Sequence, residues 1–308
     1  MSGLPRFLIL GGGAIGSVVA AALSERCPGR VVLIGRRDHV AAVAGPGLVL
    51  EGFREGHWVI PAAEAVTAPL EETLVVVTVK AFDLAGALRS LGPWLRPSSA
   101  VWCLQNGYGI RNVAREALAG TPLGGNGIHR GIVALGATFL APGRVRFLGG
   151  NIRAEASLAE TVWIDDLRRL FIPVTLSQAI ERDAWTKLLV NSVVNPLSLL
   201  LRADNRTLTD PRFDPLKEAI LGEGRAVAAA EGFPTPVDAP FVNRFITSDN
   251  RSSMLQDFLA GRQTELEFLN GALVRLGEKH GIAMPVNRTV AELVRAALAV
   301  RDAGKTVK

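Results

Sequence analysis

Lys187, Asn191 and Asn195 stand four residues apart in the stretch Trp185-Thr186-Lys187-Leu188-Leu189-Val190-Asn191-Ser192-Val193-Val194-Asn195. At about 100° per residue, such spacing puts all three on one helical face. Their neighbours are apolar enough to be core, and asparagine is both a weak helix former and costly to bury without partners. A solvated stripe would more naturally use Glu, Lys and Gln. The stripe is therefore expected to line a pocket, where one ammonium and two amides meet a polar ligand. A second polar group follows in Asn250-Arg251-Ser252-Ser253-Met254-Leu255-Gln256-Asp257 and in Thr264-Glu265-Leu266-Glu267-Phe268-Leu269-Asn270-Gly271. Ser253 and Gln256 have the spacing of a capping box, which predicts the start of a long helix. The pattern leaves two readings open: a capped helix with surface acids, or a helix start that offers hydroxyl and N–H groups to a carboxylate.

The other candidates lie in the first half. Gly11-Gly12-Gly13-Ala14-Ile15-Gly16 has the G-x-G-x-x-G spacing and sits between an apolar strand and a small-residue helix. In that context the first glycine allows a tight turn, the second a close backbone approach to a pyrophosphate, and the third close helix–sheet packing. The helix start adds unpaired N–H groups and positive potential. At the end of the next strand, where an acid would hold a ribose 2′-hydroxyl, the chain carries Gly35-Arg36-Arg37. A guanidinium such as that of Arg36 suits a 2′-phosphate, so NADP(H) is the expected cofactor. Lys80 and Asn106, each just past a further strand, fall at the same carboxyl edge of a parallel sheet and join the site.

Several elements must hold these residues in place. Phe7–Leu10, Val31–Ile34, Leu74–Val79 and Ala100–Leu104 read as buried strands, alternating with helical stretches in the manner of a doubly wound parallel sheet. Ile132–Phe139 and Val145–Leu148 flank Ala141-Pro142-Gly143 and predict an antiparallel hairpin at the sheet's edge. Long helices follow, over Ala184–Leu201, Pro215–Glu231, Ser253–His280 and Asn287–Ala303. The expected architecture is α/β: a Rossmann-type dinucleotide-binding domain over 1–178, then an all-helical substrate and catalytic domain over 179–308.

Composition narrows the classes. Hydrophobic residues make up 48% of the 308 and charged residues 20%, which suits two compact domains. The net charge of +5 is spread along the chain, and with a single Tyr there is no nucleic-acid motif. Cys27 and Cys103 form neither a disulfide framework nor a metal site, which points to a reducing, cytoplasmic location. No apolar run reaches membrane-spanning length. The expected partner is a small molecule; the apolar C-terminal helices permit a homodimer.

Taken in order, Gly11-x-Gly13-x-x-Gly16, Lys80, Gln105-Asn106-Gly107, Trp185-x-Lys187-x-x-x-Asn191-x-x-x-Asn195-Pro196, Asn205, Asn250-x-Ser252-Ser253-Met254, Thr264-Glu265 through Asn270-Gly271 and His280-Gly281-x-x-x-Pro285 give the chain its resemblance to the ketopantoate reductase (2-dehydropantoate 2-reductase) family. The resemblance covers nearly the whole chain. It implies a Rossmann domain followed by a helical domain with the active site in the cleft between them. It also implies NADPH-dependent reduction of 2-dehydropantoate to (R)-pantoate in pantothenate biosynthesis. It makes Lys187 the catalytic lysine and Glu265 an acidic partner that faces substrate and cofactor. Asn106, Asn191, Asn195, Asn205, Asn250 and Ser253 become substrate or cofactor contacts, and Lys80 a cofactor-side lysine. One departure is Ala134-Leu135-Gly136-Ala137-Thr138, where some pantothenate-pathway members carry a more polar segment. Family paralogues leave two alternatives, a reductase of another small 2-oxo acid and a non-catalytic NADPH-binding regulator.

Overall fold

The computed structural model describes residues 5–123, 127–246 and 250–306; residues 1–4 of the expected first domain and 307–308 of the second lie outside them. The chain forms two compact units, one of Met1–Gln105 with Gly109–Ile180, the other of Asn106–Tyr108 with Glu181–Lys308. Each has its own hydrophobic core.

In the first unit the order is β1 (Phe7–Leu10), α1 (Ala14–Arg26), β2 (Val31–Ile34), α2 (Arg37–Ala44), β3 (Leu48–Gly52), β4 (Gly56–Trp58), β5 (Ala62–Ala63) and β6 (Leu74–Val77). There follow α3 (Leu84–Leu91), β7 (Ala100–Cys103), α4 (Ile110–Ala117), β8 (Ile128–Ala141), β9 (Arg144–Glu155), α5 (Ile164–Leu167) and β10 (Val174–Ser177). Every residue of β1, β6 and β7 is buried, as strands covered on both faces require. Strand β1 pairs in parallel with β2 and β6, and β6 with β7, and the register Leu10↔Ile34, Leu10↔Val77 and Val77↔Cys103 brings their carboxyl ends level. Helix α1 packs close to this sheet because its buried face is built from small residues, Ala20, Ala21 and Ala22 among them.

The strand order is β4-β3-β9-β8-β7-β6-β1-β2-β5, with β10 also on β9. This corrects the expected edge hairpin: β8 and β9 lie inside the sheet. Val49↔Arg144 and its neighbours pair β3 with β9 in parallel, and Val174↔Ile152 begins the pairing of β10. Two short strands, β3 from early in the unit and β10 from its end, thus supply β9 with partners for its backbone groups. The strands β6 and β7 also end earlier than expected, so Lys80 stands three residues past β6, before a short helical turn at Ala81–Asp83.

Among its described residues the second unit is helical: α6 (Ile180–Leu201), α7 (Asp214–Ala230), α8 (Ala239–Phe245), α9 (Ser253–Leu259), α10 (Asn270–His280) and α11 (Pro285–Thr306). The single helix expected over Ser253–His280 is broken. Gly261 takes φ +65 while Gly261 N–H donates to Phe258 and Arg262 N–H to Asp257, a Schellman ending for α9. A short turn over Leu266–Phe268 precedes α10. The cap is also shifted by one residue: Ser252, not Ser253, accepts from Leu255 N–H at 3.1 Å. Gln256 reaches back to the Arg251 carbonyl instead. No described helix is long and apolar enough to cross a membrane.

Candidate functional site

The glycine loop of the first unit is shaped by close backbone approaches. Gly11 N–H donates to the Ile34 carbonyl at 3.0 Å, tying the loop to the end of β2. Thr78 Oγ1 donates to the Gly11 carbonyl at 2.7 Å. A Cβ at Gly16 would stand 1.9 Å from that same carbonyl oxygen, so only glycine fits there. Gly13, by contrast, faces open space and begins α1 with no side-chain cap and no acid in the first turn. Gly12, Ala14 and Ile15 complete a half-exposed rim. A cradle of this kind fits a diphosphate: backbone can approach it, and the helix start has uncommitted N–H groups.

The neighbouring strand ends supply the rest. Arg36 is exposed at the start of α2, directly after Gly35 at the end of β2. Lys80 is half-buried beyond β6. Gln105 Nε2 donates to the Val77 and Val79 carbonyls at 2.8 and 3.1 Å, while Arg130 Nη2 donates to the Gln105 carbonyl at 2.6 Å. These bonds fix where the chain leaves β7.

The next three residues, Asn106–Tyr108, belong to the second unit. Gly107 has φ +98, and a Cβ there would lie 2.7 Å from the Phe268 carbonyl oxygen, which explains glycine at this position. Tyr108 N–H donates to Phe268 O at 3.0 Å. The Tyr108 ring packs 5.4 Å from Trp185, and its hydroxyl donates to Glu231 Oε2 at 2.8 Å. Lys279 and His280 bond the other oxygen of Glu231 at 2.7 and 2.5 Å. Burial would push the Glu231 carboxyl up, but hydrogen bonds from His280, Lys279 and Tyr108 outweigh it and bring it down to about 2. Burial first, then the bond to Glu231, pushes the Tyr108 hydroxyl up to about 12. So anchored, the segment holds Asn106 Nδ2 3.4 Å from Glu265 Oε2, and Glu265 itself is only 6% exposed.

The remaining candidates also fall in this unit. Helix α6 carries Lys187 and Asn191 half-buried and Asn195 buried, on the face expected from their spacing. Asn205 N–H donates to the Asn250 carbonyl at 2.9 Å, while Asn205 Oδ1 is buried without a partner. Ser253 is half-buried at the start of α9, and because Ser252 makes the cap its hydroxyl has no capping duty. The structure thus joins Asn106 to Glu265 and Asn205 to Asn250, and sets Gly11 to Gly16, Arg36 and Lys80 apart in the first unit. Sequence reasoning missed the anchor of Tyr108, Glu231, Lys279 and His280. One signal was present: the chain's single Tyr directly follows Gln105-Asn106-Gly107. No described group of His, Cys, Asp and Glu residues is arranged to hold a metal ion.

A glycine cradle on a parallel sheet, followed by a helical unit bearing lysine, amides and a buried carboxylate, defines a two-domain oxidoreductase of Rossmann type. The chain belongs to the ketopantoate reductase family: the model described as ketopantoate reductase PanE/ApbA matches residues 7–157, and that for its C-terminal part matches 179–298. A 2-dehydropantoate 2-reductase of Archaeoglobus fulgidus is 32% identical over 300 residues, covering 94% of this chain and 97% of its own. That of Halobacterium salinarum is 33% identical over 315 residues, with 96% and 99% covered. Among solved structures, a PanE/ApbA family ketopantoate reductase from Ralstonia eutropha superposes with TM-score 0.83 at 28% identity, covering 96% and 99%. A D-mandelate dehydrogenase bound to NADH and anilino(oxo)acetate gives 0.84 at 25% identity with the same coverage.

Proposed function

We propose that the protein reduces 2-dehydropantoate to (R)-pantoate with NADPH. The observation that carries this reading is the joint presence, in one helical unit, of Lys187 on its asparagine stripe and of the buried Glu265 held by Asn106. When bound, NADPH supplies the hydride taken up by the ketone carbon. Lys187, protonated, stabilises the charge that grows on the ketone oxygen and gives it a proton, so the 2-oxo acid becomes a 2-hydroxy acid. Asn191 and Asn195 hold the lysine and the substrate in reactive geometry, with Asn205 and Asn250 on the same substrate. The Ser253 hydroxyl donates to the carboxylate, and Glu265 accepts from the terminal hydroxyl of the substrate. On the cofactor side Gly11, Gly12, Gly13, Ala14, Ile15 and Gly16 take the diphosphate. Arg36 takes the 2′-phosphate, and Lys80 and Asn106 bind nearby.

Turnover with 2-dehydropantoate, with its analogue lacking the terminal hydroxyl and with phenylglyoxylate tests the substrate. The last compound is included because D-mandelate dehydrogenase shares the fold. The expected result is a higher kcat/KM for 2-dehydropantoate, narrowed by Glu265→Ala, since a buried carboxylate left unpaired penalises the analogue. Equal treatment of 2-dehydropantoate and its analogue would remove the assignment and leave a reductase of another 2-oxo acid. NADPH binding without turnover of any of the three would favour a regulator.

A further inference from the structure

We propose that His39 is a positioning residue of the cofactor half, locking the Arg36 segment to the glycine loop and so setting the preference for the phosphorylated dinucleotide. This rests on the reading of Arg36 given above. His39 lies in the first turn of α2, three residues past Arg36, and is 3% exposed. Its Nδ1 accepts the N–H of Gly143, in the turn between β8 and β9, at 3.1 Å. Since that donor is a backbone amide, Nδ1 carries no proton and the neutral ring holds its hydrogen on Nε2. Nε2 then donates to Ser17 Oγ, 2.9 Å away in the first turn of α1. The ring also fills the space beside Gly12, where a Cβ would stand 2.8 Å from Cδ2, and lies 5.1 Å from the Phe139 ring.

A residue that only filled this space would be served by leucine. Instead, each ring nitrogen meets a polar group on a different element, and Ser17 is itself completely buried. One side chain therefore joins α1, α2 and the hairpin turn where the diphosphate cradle meets the 2′-phosphate reader. Freed of it, the start of α2 can shift relative to the glycine loop. An exposed arginine pays for such a shift in geometry, since its charge-assisted contact is directional. The glycine loop, Lys80 and Asn106, which would make the contacts common to NADPH and NADH, do not depend on that start, and the loop keeps its own ties to Ile34 and Thr78.

The test is titration of the full chain with NADPH and, separately, NADH, read by tryptophan fluorescence, with thermal unfolding as the check on folding. His39→Leu is expected to weaken NADPH binding about tenfold while leaving NADH within about twofold. His39→Asn, which keeps an acceptor near Nδ1, and His39→Gln, which keeps a donor near Nε2, should each restore part of the loss. Should His39→Leu fail to fold, Ser17→Ala and His39→Gln carry the test, with smaller losses confined to NADPH. A folded variant with the unmodified ratio, or with equal losses for both nucleotides, overturns the inference and leaves the cofactor reading intact. Equal binding of both nucleotides by the unmodified protein overturns the two together.

Discussion

Pro196 lies inside α6, where its ring nitrogen has no proton to give the carbonyl four residues back, that of Ser192. Ser192 is completely buried, so water cannot serve that carbonyl. Asn270, at the start of α10, supplies the missing donor: its Nδ2 lies 2.9 Å from Ser192 O and 3.1 Å from Asn287 Oδ1. Asn287 in turn donates to Ile220 O at 3.0 Å and Glu223 Oε2 at 2.8 Å, so the group joins α6, α7, α10 and α11. Asn270→Ala strips two buried acceptors of their donor, at about 1–3 kcal/mol each. It also removes Asn270 Oδ1, which is buried without a partner and whose loss offsets about one such term. The net expectation is a destabilisation of about 1–3 kcal/mol. Pro196→Ala gives Ser192 a helical donor, and in that background Asn270→Ala should cost about 1 kcal/mol less. Native-state hydrogen exchange on α6 peptides measures this without requiring the two units to unfold together. Additive effects, within about 0.3 kcal/mol, would refute the account.

Two other outcomes are expected. Lys187→Ala should lower kcat about a hundredfold or more with NADPH affinity nearly unchanged, measured by turnover and by fluorescence titration; near-normal kcat would move the proton donor elsewhere, with Lys80 tested first. The Glu231 carboxyl, held at about 2 against an ordinary 4.5, contributes stability that is complete above pH 4.5 and lost as pH falls toward about 2. The Tyr108 hydroxyl, raised from 10 to about 12, contributes stability that is lost as pH rises between those values. Calorimetric unfolding of Glu231→Gln should therefore show a flatter pH dependence on both sides, and an unchanged profile would count against the anchor.

What the sequence revealed depended on how far away each residue's partners lie. Strands β1, β2, β6 and β7 were legible because burial on both faces writes near-continuous apolar runs. Strand β3 was not, because Leu48–Gly52 ends in Glu51 and Gly52 and owes its pairing to Arg144–Phe147 almost a hundred residues on. The asparagine stripe stood out because amides at helical spacing among apolar neighbours need an explanation within the same helix. The break at Gly261 was hidden because apolar periodicity resumes after it, and only the left-handed ending shows that the two runs are separate helices.

The same distance rule separates the polar residues that sequence reasoning assigned from those it missed. Arg36 was open to proposal from the sequence because that proposal refers only to a glycine loop about twenty residues earlier, a spacing set by one strand–helix–strand unit. His39 and Asn270 were not, since the groups that explain them are Ser17, Gly143 and Ser192, separated by 22, 104 and 78 residues. A buried imidazole or amide carries no record in its own neighbourhood of which backbone group it satisfies; that follows only from the folded chain. Such residues act through the groups they hold, Ser17 and Gly143 for His39 and Ser192 for Asn270, so their part in the fold is defined by those groups and not by their own stretch of chain.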